Sequence, residues 1–325
     1  MFDCHARKID YLRISITDRC NLNCQYCAPH PFLSQGFYKE ILSYEEILRL
    51  VKIGVGLGIS KVRITGGEPL VRRGVYDFLE KIVQIKGLND VSLTTNGVLL
   101  KPNIHKIKSA GIKRINISLD TLNRKKYKKI TGSDCFDRVR EGIESARQYG
   151  FDPIRINAVI LKGINDNELI DFAKISFFHP FQIRFIEYMP MGATTSKKDW
   201  HIPMGEMKKK IKGAGKLTRL AGDLNDGPVK RYKFENAKGE IGFISPVSDH
   251  FCEKCNRIRL TAKGNLRPCL LSDYEVDIKK ALRTKASDRQ LSDIFIKAVR
   301  SKPAGHDILK DNHCAISTNM AAIGG

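Results

Sequence analysis

The chain has 325 residues, of which 42% are hydrophobic and 28% charged, so it can bury a large core of the α/β-barrel size class. Its 56 Lys and Arg residues against 35 Asp and Glu residues give a formal charge of +21, which favours an anionic partner: a nucleic acid, a nucleotide or an acidic membrane surface. No run of about 18 uncharged apolar residues occurs, and the first residues form no apolar leader with a cleavage site, so we expect neither a transmembrane helix nor a signal peptide and place the protein in the cytoplasm.

Short β-rich runs alternate with helical patterns over the first two-thirds of the chain. The predicted strands are 11–17, 61–65, 91–95, 114–119, 155–160 and 182–188. Between the first two strands, Ser43 and Glu46 form a capping box at the start of a predicted helix. The apolar face of this helix carries Ile47, Leu50, Val51 and Val55. Further helices are predicted from Val75 and over 137–150, the second ending on a glycine suited to a C-cap.

Six strands that alternate with helices imply parallel β/α units. Because eight units close a full barrel, we predict an α/β fold: a partial (β/α)6 TIM-type barrel with a C-terminal α+β extension. The pattern changes near residue 195, so the predicted domains are a barrel domain over 1–195 and a C-terminal domain over 196–325. Glycine, acidic and cysteine motifs follow the predicted strands, where the loops of such folds carry functional groups.

Cys20, Cys24 and Cys27 lie on one loop after the first predicted strand. Clustered cysteines in a cytosolic protein indicate metal binding, because intracellular thiols stay reduced. Three thiolates can hold a four-iron cluster and leave one iron without a protein ligand, whereas electron-transfer clusters use four cysteines. Structural zinc is the alternative, with His30 nearby as a fourth ligand.

A second trio, Cys252, Cys255 and Cys269, has the spacing C-x2-C-x13-C in basic surroundings. One interpretation is a zinc ribbon with His250 or His313 as the fourth ligand, in a nucleic-acid-binding module that the positive charge would suit. The other interpretation is a second three-cysteine cluster with an open iron.

The loop CNLNCQYC followed by GGEP resembles the radical S-adenosylmethionine (SAM) superfamily. The stretch FCEKCNRIRLTAKGNLRPCL after SPVSDH makes the similarity more specific. Together with LRISITDRCNLNCQYC, KVRITGGEPLVRR, FIEYM and the terminal IGG, it is similar to the GTP 3′,8-cyclase family, which begins molybdenum cofactor (molybdopterin) biosynthesis. The similarity runs from about residue 10 to the last residue.

The resemblance implies two [4Fe-4S] clusters, with SAM on the first and GTP on the open iron of the second. It implies that a 5′-deoxyadenosyl radical takes the C3′ hydrogen of GTP, and that C3′ then joins C8 to give (8S)-3′,8-cyclo-7,8-dihydroguanosine 5′-triphosphate. An external one-electron donor and, downstream, cyclic pyranopterin monophosphate synthase are the implied partners. We expect no nucleic-acid or membrane partner, and a homodimer is among the expected assemblies.

The same resemblance assigns the site residues. Iron ligands would be Cys20, Cys24 and Cys27 for the first cluster and Cys252, Cys255 and Cys269 for the second. The SAM site would be lined by Tyr26, Gly67, Ser118 and Met189. GTP contacts would be Arg13, Arg63, Thr94, Arg155, Arg184, Arg257 and Arg259, since guanidinium forks suit a triphosphate. The tail residues Gly324 and Gly325 would enter the active site as catalytic residues.

The residue types also allow other interpretations. Arginines at strand ends are usually solvated, and Tyr26 and Met189 are common packing residues. Arg155 stands where the family more often has lysine, and Ala28 where methionine is usual. We take Cys4, Cys135 and Cys314 as structural or incidental. Two rival functions are a radical SAM enzyme that modifies a peptide or RNA, and a zinc-stabilised nucleic-acid-binding protein.

Overall fold

The computed structural model describes residues 1–27, 40–222, 227–306 and 316–324. The described residues form one sheet of twelve strands in the order β12-β11-β10-β1-β2-β3-β4-β5-β6-β9-β8-β7. The strands are β1 (Tyr11–Ser15), β2 (Lys61–Thr65), β3 (Asp90–Thr95), β4 (Arg114–Ser118), β5 (Ile154–Ile160), β6 (Gln182–Glu187), β7 (Leu217–Arg219), β8 (Lys230–Phe234), β9 (Glu240–Ile244), β10 (Arg257–Leu260), β11 (Asn265–Arg267) and β12 (Val276–Asp277). The helices are α1 (Tyr44–Gly56), α2 (Val75–Val83), α3 (Leu100–Ser109), α4 (Arg124–Thr131), α5 (Phe136–Gln148), α6 (Leu169–Phe178), α7 (Met204–Ile211), α8 (Lys279–Arg283), α9 (Asp288–Arg300) and α10 (Met320–Ile323).

Strands β1 to β6 pair in chain order, each parallel to the next, with helices in the connections. This confirms the predicted partial barrel with a C-terminal extension, and each predicted strand overlaps an observed one with ends that differ by at most two residues. Each of these strands is a short run rich in β-branched residues between helical patterns, and this local signal specifies its position.

Helix α1 begins at the predicted capping box. The Ser43 hydroxyl accepts from the Glu46 main chain, and the Glu46 carboxylate accepts from the Ser43 main chain. Ile47, Leu50 and Val51 on its apolar face are buried. The predicted C-cap glycine of α5, Gly150, adopts a positive φ of 66°, which lets the chain leave the helix.

The strands that follow residue 196 extend both edges of the barrel sheet. β10 pairs in parallel with β1, and β9 pairs in parallel with β6. β11 and β12 continue one edge and β8 and β7 the other, all in antiparallel pairing. The two predicted domains therefore share one sheet, and the division at 195/196 stays a prediction.

Alternation along the central strands separates two environments. Leu12 and Ile14 of β1 pack in the main hydrophobic core, whereas Tyr11 and Arg13 point into the barrel. Val62 and Ile64 of β2 repeat the pattern. On these two strands the side chains that face the barrel interior are thus mostly polar, while the apolar ones pack in the main core on the outer face.

No helix in the described part of the chain is long and apolar enough to span a membrane.

Candidate active site

The barrel encloses one cavity that contains most of the residues predicted for the site. Among the predicted residues, those that line it are Arg13, Cys20, Cys24, Tyr26, Cys27, Arg63, Gly67, Thr94, Ser118, Arg184, Met189, Arg257 and Arg259. Lys61 and Asp90 line the cavity at the amino ends of β2 and β3, and Thr65 and Thr95 line it at the carboxyl ends of the same strands. The cavity therefore runs along the strands from the carboxyl end of the barrel to its amino end.

The first cysteine trio lies at the carboxyl end, on the loop that follows β1. The Cys27 main-chain N–H donates to the Cys24 carbonyl at 2.9 Å and closes a turn. The loop is held against the end of α4 by Asn23 N–H to the Thr131 carbonyl, at 2.8 Å. All three cysteines are free thiols at the cavity wall.

The GGEP loop packs directly against this cysteine loop. The Gly67 N–H donates to the Thr17 carbonyl at 2.6 Å, and the Glu68 N–H donates to the Arg19 carbonyl at 2.7 Å. A Cβ on Gly67 would stand 2.2 Å from the Arg19 carbonyl oxygen, so only glycine allows this approach. The motif thus fixes the height of the cysteine loop above the barrel.

Buried carboxyl groups surround the first trio. Burial raises the pKa of Glu68 to about 7 and that of Asp120 to about 6. Tyr26 donates its hydroxyl hydrogen to Asp120 at 2.8 Å. Burial and nearby negative charge raise the pKa of Cys20 to about 11 and that of Cys27 to about 12, so the trio is a set of neutral thiols unless a cation draws the protons off.

The four residues predicted for SAM line the same end of the cavity. Tyr26 belongs to the cysteine loop, Gly67 to the GGEP loop, Ser118 ends β4, and Met189 follows β6. Their grouping around the first trio is what a small ligand on that trio requires.

Arginines form a cluster deeper in the barrel. Arg13 on β1 lies opposite Arg63 on β2 and opposite Arg259 on β10. Burial lowers the pKa of Arg13 well below its usual value, and the charges of Arg259 and Arg63 lower it further. Burial and the neighbouring Arg257 lower the pKa of Arg259 to about 9. Crowded, buried positive charges of this kind favour an anion in the cavity.

Three uncharged polar groups on β1, β3 and β5 also face the cavity. The hydroxyls of Thr94 and Tyr11 and the carbonyl oxygen of the Asn157 side chain are buried with no hydrogen-bond partner among the described residues. All three side chains line the cavity. Buried polar atoms normally have partners, so these three indicate a polar ligand.

Arg184 and Arg155 differ in position. Arg184 lies opposite Asn157 and lines the cavity. Arg155 lies on the same face of β5 two residues earlier, opposite Asn116 and Gln182, and is buried without lining the cavity. Six of the seven predicted GTP contacts therefore line the cavity, and Arg155 does not.

The second trio lies at the other end of the barrel. Cys252 and Cys255 precede the amino end of β10, which runs parallel beside β1, whereas the first trio follows the carboxyl end of β1. Cys269 follows the antiparallel strand β11 and so returns to the same end as Cys255. The neighbours of this trio, Phe251 and Leu270 among them, line the cavity. The two trios therefore lie at opposite ends of the barrel: the first lines the cavity directly, whereas the second adjoins it through these neighbours and its own cysteines are not among the lining residues.

Positive charge surrounds the second trio. Burial alone would raise the pKa of Cys255, yet Arg257 and Lys302 lower it to about 6. The Arg257 guanidinium lies 5.0 Å from the ring centre of Phe251. The two trios thus sit in surroundings of opposite charge, carboxyl groups at the first and cations at the second.

The C-terminal tail enters the cavity from the carboxyl end. Met320 and Ala321 line the cavity, and Arg259 donates from Nη1 to the Gly324 carbonyl at 2.9 Å. A Cβ on Gly324 would stand 2.7 Å from Thr65 Cγ2, and its φ of 71° also requires glycine. Gly325, predicted with it, lies outside the described residues.

The three histidines named as alternative fourth zinc ligands differ in whether the structure describes them. His30 and His313 lie outside the described residues, as do Ala28 and Cys314. His250 is exposed and its ring lies 5.6 Å from that of His306. Within the described ranges, no three Cys, His, Asp or Glu side chains are grouped to hold a single metal ion. A four-iron cluster distributes its cysteines over different iron atoms, so its thiols stand farther apart than the ligands of one ion.

Some site residues were missed in the sequence. Glu68 lies in the GGEP motif, Asp120 directly follows a predicted strand and Tyr11 opens another, but none of the three was given a role. Lys302 and Arg7 contact the second trio from outside every motif, and nothing in their local pattern distinguishes them from surface cations.

Two family models match the chain. The radical SAM superfamily model matches residues 14–175, and the "Molybdenum Cofactor Synthesis C" model matches residues 181–308. Among solved structures, Streptococcus suis SuiB bound to S-adenosylmethionine aligns with a TM-score of 0.66 at 16% identity, covering 90% of this chain and 68% of SuiB. That likeness supports the barrel fold.

Two relatives that match over their whole length identify the family. The GTP 3′,8-cyclase of Thermodesulfovibrio yellowstonii is 48% identical over 327 residues and covers 100% of both chains. The GTP 3′,8-cyclase of Moorella thermoacetica is 43% identical over 325 residues, again covering 100% of both. The chain belongs to the GTP 3′,8-cyclase family of the radical SAM superfamily.

Proposed function

We propose that this protein is a GTP 3′,8-cyclase, which catalyses the radical SAM cyclisation of GTP as the first step of molybdenum cofactor biosynthesis. The observation that carries the proposal is the position of Arg13, Arg63 and Arg259 at one level of the barrel, between two cysteine trios. A triphosphate of about four negative charges would relieve their mutual repulsion and engage their guanidinium forks.

The residues at the carboxyl end fit SAM and a cluster. The three free thiols would hold the cluster, and the backbone of the glycine loop lies close to the cysteine loop because Gly67 has no side chain. When bound and reduced, a four-iron cluster with an open iron supplies the electron that cleaves SAM to a 5′-deoxyadenosyl radical. Tyr26 and Asp120 form a hydrogen-bonded wall beside the trio and would orient the ligand.

The residues at the amino end fit the substrate. The second trio would hold a second [4Fe-4S] cluster whose open iron contacts the purine of GTP. Thr94 and Arg184 line the cavity between the trios, within which GTP would lie. Arg257, beside Cys255, would contact the same ligand near the second cluster.

The C-terminal tail would contribute to substrate binding. Arg259 binds the Gly324 carbonyl in this structure, so Gly324 would meet GTP at the level of the arginines. Arg155, outside the cavity wall, would act on the phosphates through its neighbours rather than by contact.

The protein would receive single electrons from an external donor, pass its product to cyclic pyranopterin monophosphate synthase and act in the cytoplasm. The chain would divide into a barrel domain over 1–195 and a C-terminal domain over 196–325. A homodimer would be tested by sedimentation.

Isotope transfer tests the proposed function directly. Anaerobically reconstituted protein with SAM, GTP and a strong reductant should release 5′-deoxyadenosine, and GTP deuterated at C3′ should pass deuterium into it. Iron and sulfide analysis should give about eight of each per chain, as expected for two cubane clusters. Deuterium transfer from a peptide or RNA substrate instead, or zinc in place of iron and sulfide, would overturn the proposal.

A further inference from the structure

Lys302, just after helix α9, is a buried lysine beside the second trio. Only 5% of the residue is exposed. Its ammonium donates to the Arg257 carbonyl at 2.9 Å and to the Pro268 carbonyl at 2.6 Å. In the described part of the chain no carboxylate pairs with it. A buried ammonium without a counter-charge is costly, so its position calls for an anionic neighbour.

The two carbonyls lie on different segments that carry cysteines of the second trio; each such segment is called an arm below. Arg257 follows Cys255 by two residues at the start of β10, and Pro268 immediately precedes Cys269. The segment beyond Lys302 holds the remaining arm: Arg7 donates to the Cys252 carbonyl at 2.7 Å and to the Pro303 carbonyl at 2.6 Å. One short segment thus ties together all three cysteine arms.

Arg7 and Lys302, the two cations that bind these arms, differ in whether a carboxylate neutralises their charge. Arg7 forms a buried ion pair with Asp3, with Nε and the carboxylate 2.6 Å apart, so its charge is matched locally. Lys302 has no carboxylate partner among the described residues, and its ammonium lies between the Cys255 and Cys269 arms, bonded to a carbonyl of each. Three thiolates on a cluster core of charge +2 leave a net charge of −1, which a buried ammonium would balance.

We propose that Lys302 is a positioning residue for the second cluster: it fixes the two arms through the Arg257 and Pro268 carbonyls and supplies the positive charge beside the three thiolates. The inference depends on the proposed function in one respect, the presence of a cluster at this trio. No contact with GTP or SAM is required of Lys302.

The test compares Lys302→Met, which removes the charge and the donors at similar length, with Lys302→Arg, which retains both. Lys297→Met on the exposed face of α9 is the matched control. Each change is also made in a Cys20, Cys24, Cys27→Ala background, where the only cluster is the second. The measurements are iron and sulfide content and, in that background, the reduction potential followed by electron paramagnetic resonance.

For Lys302→Met we expect either loss of about four irons per chain, with the first cluster retained, or a retained second cluster with a more negative reduction potential. Lys302→Arg should keep the iron content and a potential near that of the unchanged protein. Unchanged iron and potential in Lys302→Met, or equal loss in both variants, would overturn the inference. If Lys302→Met loses both clusters, the same comparison is made with Lys302→Gln. The unchanged protein and Lys297→Met must hold about eight irons; a shortfall there would count against the proposed second cluster itself.

Discussion

Arg259 on β10 donates a hydrogen bond from Nη1 to the main-chain carbonyl of Gly324, at 2.9 Å. The bond joins the arginine cluster to the C-terminal tail, so under the proposed function one side chain would link substrate binding to the position of the tail. Arg259 was predicted as a GTP contact and Gly324 as a tail residue of the active site, and their direct contact shows that the two predictions concern one place.

Arg13→Met should separate substrate binding from stability. Because Arg13 is buried beside Arg63 and Arg259, removing its charge relieves repulsion, and the melting temperature should stay level or rise. Loss of a charged hydrogen-bonding fork should weaken GTP binding about 10- to 100-fold, or roughly 1.5–3 kcal/mol. Calorimetry with GTP measures this, with the exposed Arg73→Met as control. Equal GTP affinity in both variants would contradict the assignment.

Cys269→Ala should remove the second cluster and leave the first. The two trios lie at opposite ends of the barrel, so loss of a ligand at one end leaves the other loop intact. We expect about four irons per chain, continued reductive cleavage of SAM and no cyclised GTP. The exposed thiol of Cys4 offers the control Cys4→Ala, which should keep about eight irons. Loss of all iron from Cys269→Ala would argue against two independent sites.

Asp273→Asn should release the tail. The Asp273 carboxylate accepts from the Ser317 N–H at 2.7 Å, from the Thr318 hydroxyl at 2.8 Å and from Arg267 at 2.9 Å. These bonds hold the pKa of Asp273 well below its usual value, against the effect of burial. An uncharged amide would weaken charge-assisted bonds worth roughly 1.5–3 kcal/mol each.

Hydrogen exchange over 316–324 measures the effect of Asp273→Asn. We expect faster exchange there and slower GTP turnover with SAM cleavage retained, while the exposed Asp171→Asn changes neither. Unchanged protection of the tail amides in Asp273→Asn would show that other contacts hold the tail.

The buried carboxyl group of Glu68 should make the stability of the folded protein depend on pH. Its pKa of about 7 in the folded protein, raised from 4.5 by burial, means that the folded state binds this proton more tightly than the unfolded state. The resulting stabilisation is complete below pH 4.5 and is lost as the pH rises through 7. It amounts to at most about 3 kcal/mol.

Glu68→Gln should flatten this dependence. Melting temperatures measured from pH 5 to 8 should fall less steeply for Glu68→Gln than for the unchanged protein. The exposed Glu80→Gln should follow the unchanged protein. Parallel curves for all three would show that Glu68 ionises normally.

Gly67→Ala should disrupt the first site through backbone overlap. The new Cβ would stand 2.2 Å from the Arg19 carbonyl oxygen, so the cysteine loop must move. We expect a loss of roughly 1–3 kcal/mol or more in stability and less iron per chain. Gly56→Ala, with open space around its Cβ, should be neutral or slightly stabilising. Full iron content in Gly67→Ala would mean that the loop can adapt.

Local patterns predicted the barrel and the motifs on it. The strand runs, the capping box of Ser43 and Glu46 and the glycine loop are each specified by neighbouring residues, so sequence was sufficient for them. The edge strands were not predicted, because β10 reaches β1 only through pairing between distant parts of the chain. Lys302 was missed for the same reason: its carbonyl partners are far from it in sequence, and a buried lysine has the same local pattern as a surface one.

The pairing of β10 with β1 also bears on how the protein is made. While the ribosome is still adding residues beyond 250, the first strand of the barrel has no neighbour on one side and presents an open parallel edge to the cell. Pairing between such distant segments forms slowly. Nascent or truncated chains that lack the last quarter should therefore need chaperones, and the inner chamber can take its final shape only after synthesis ends.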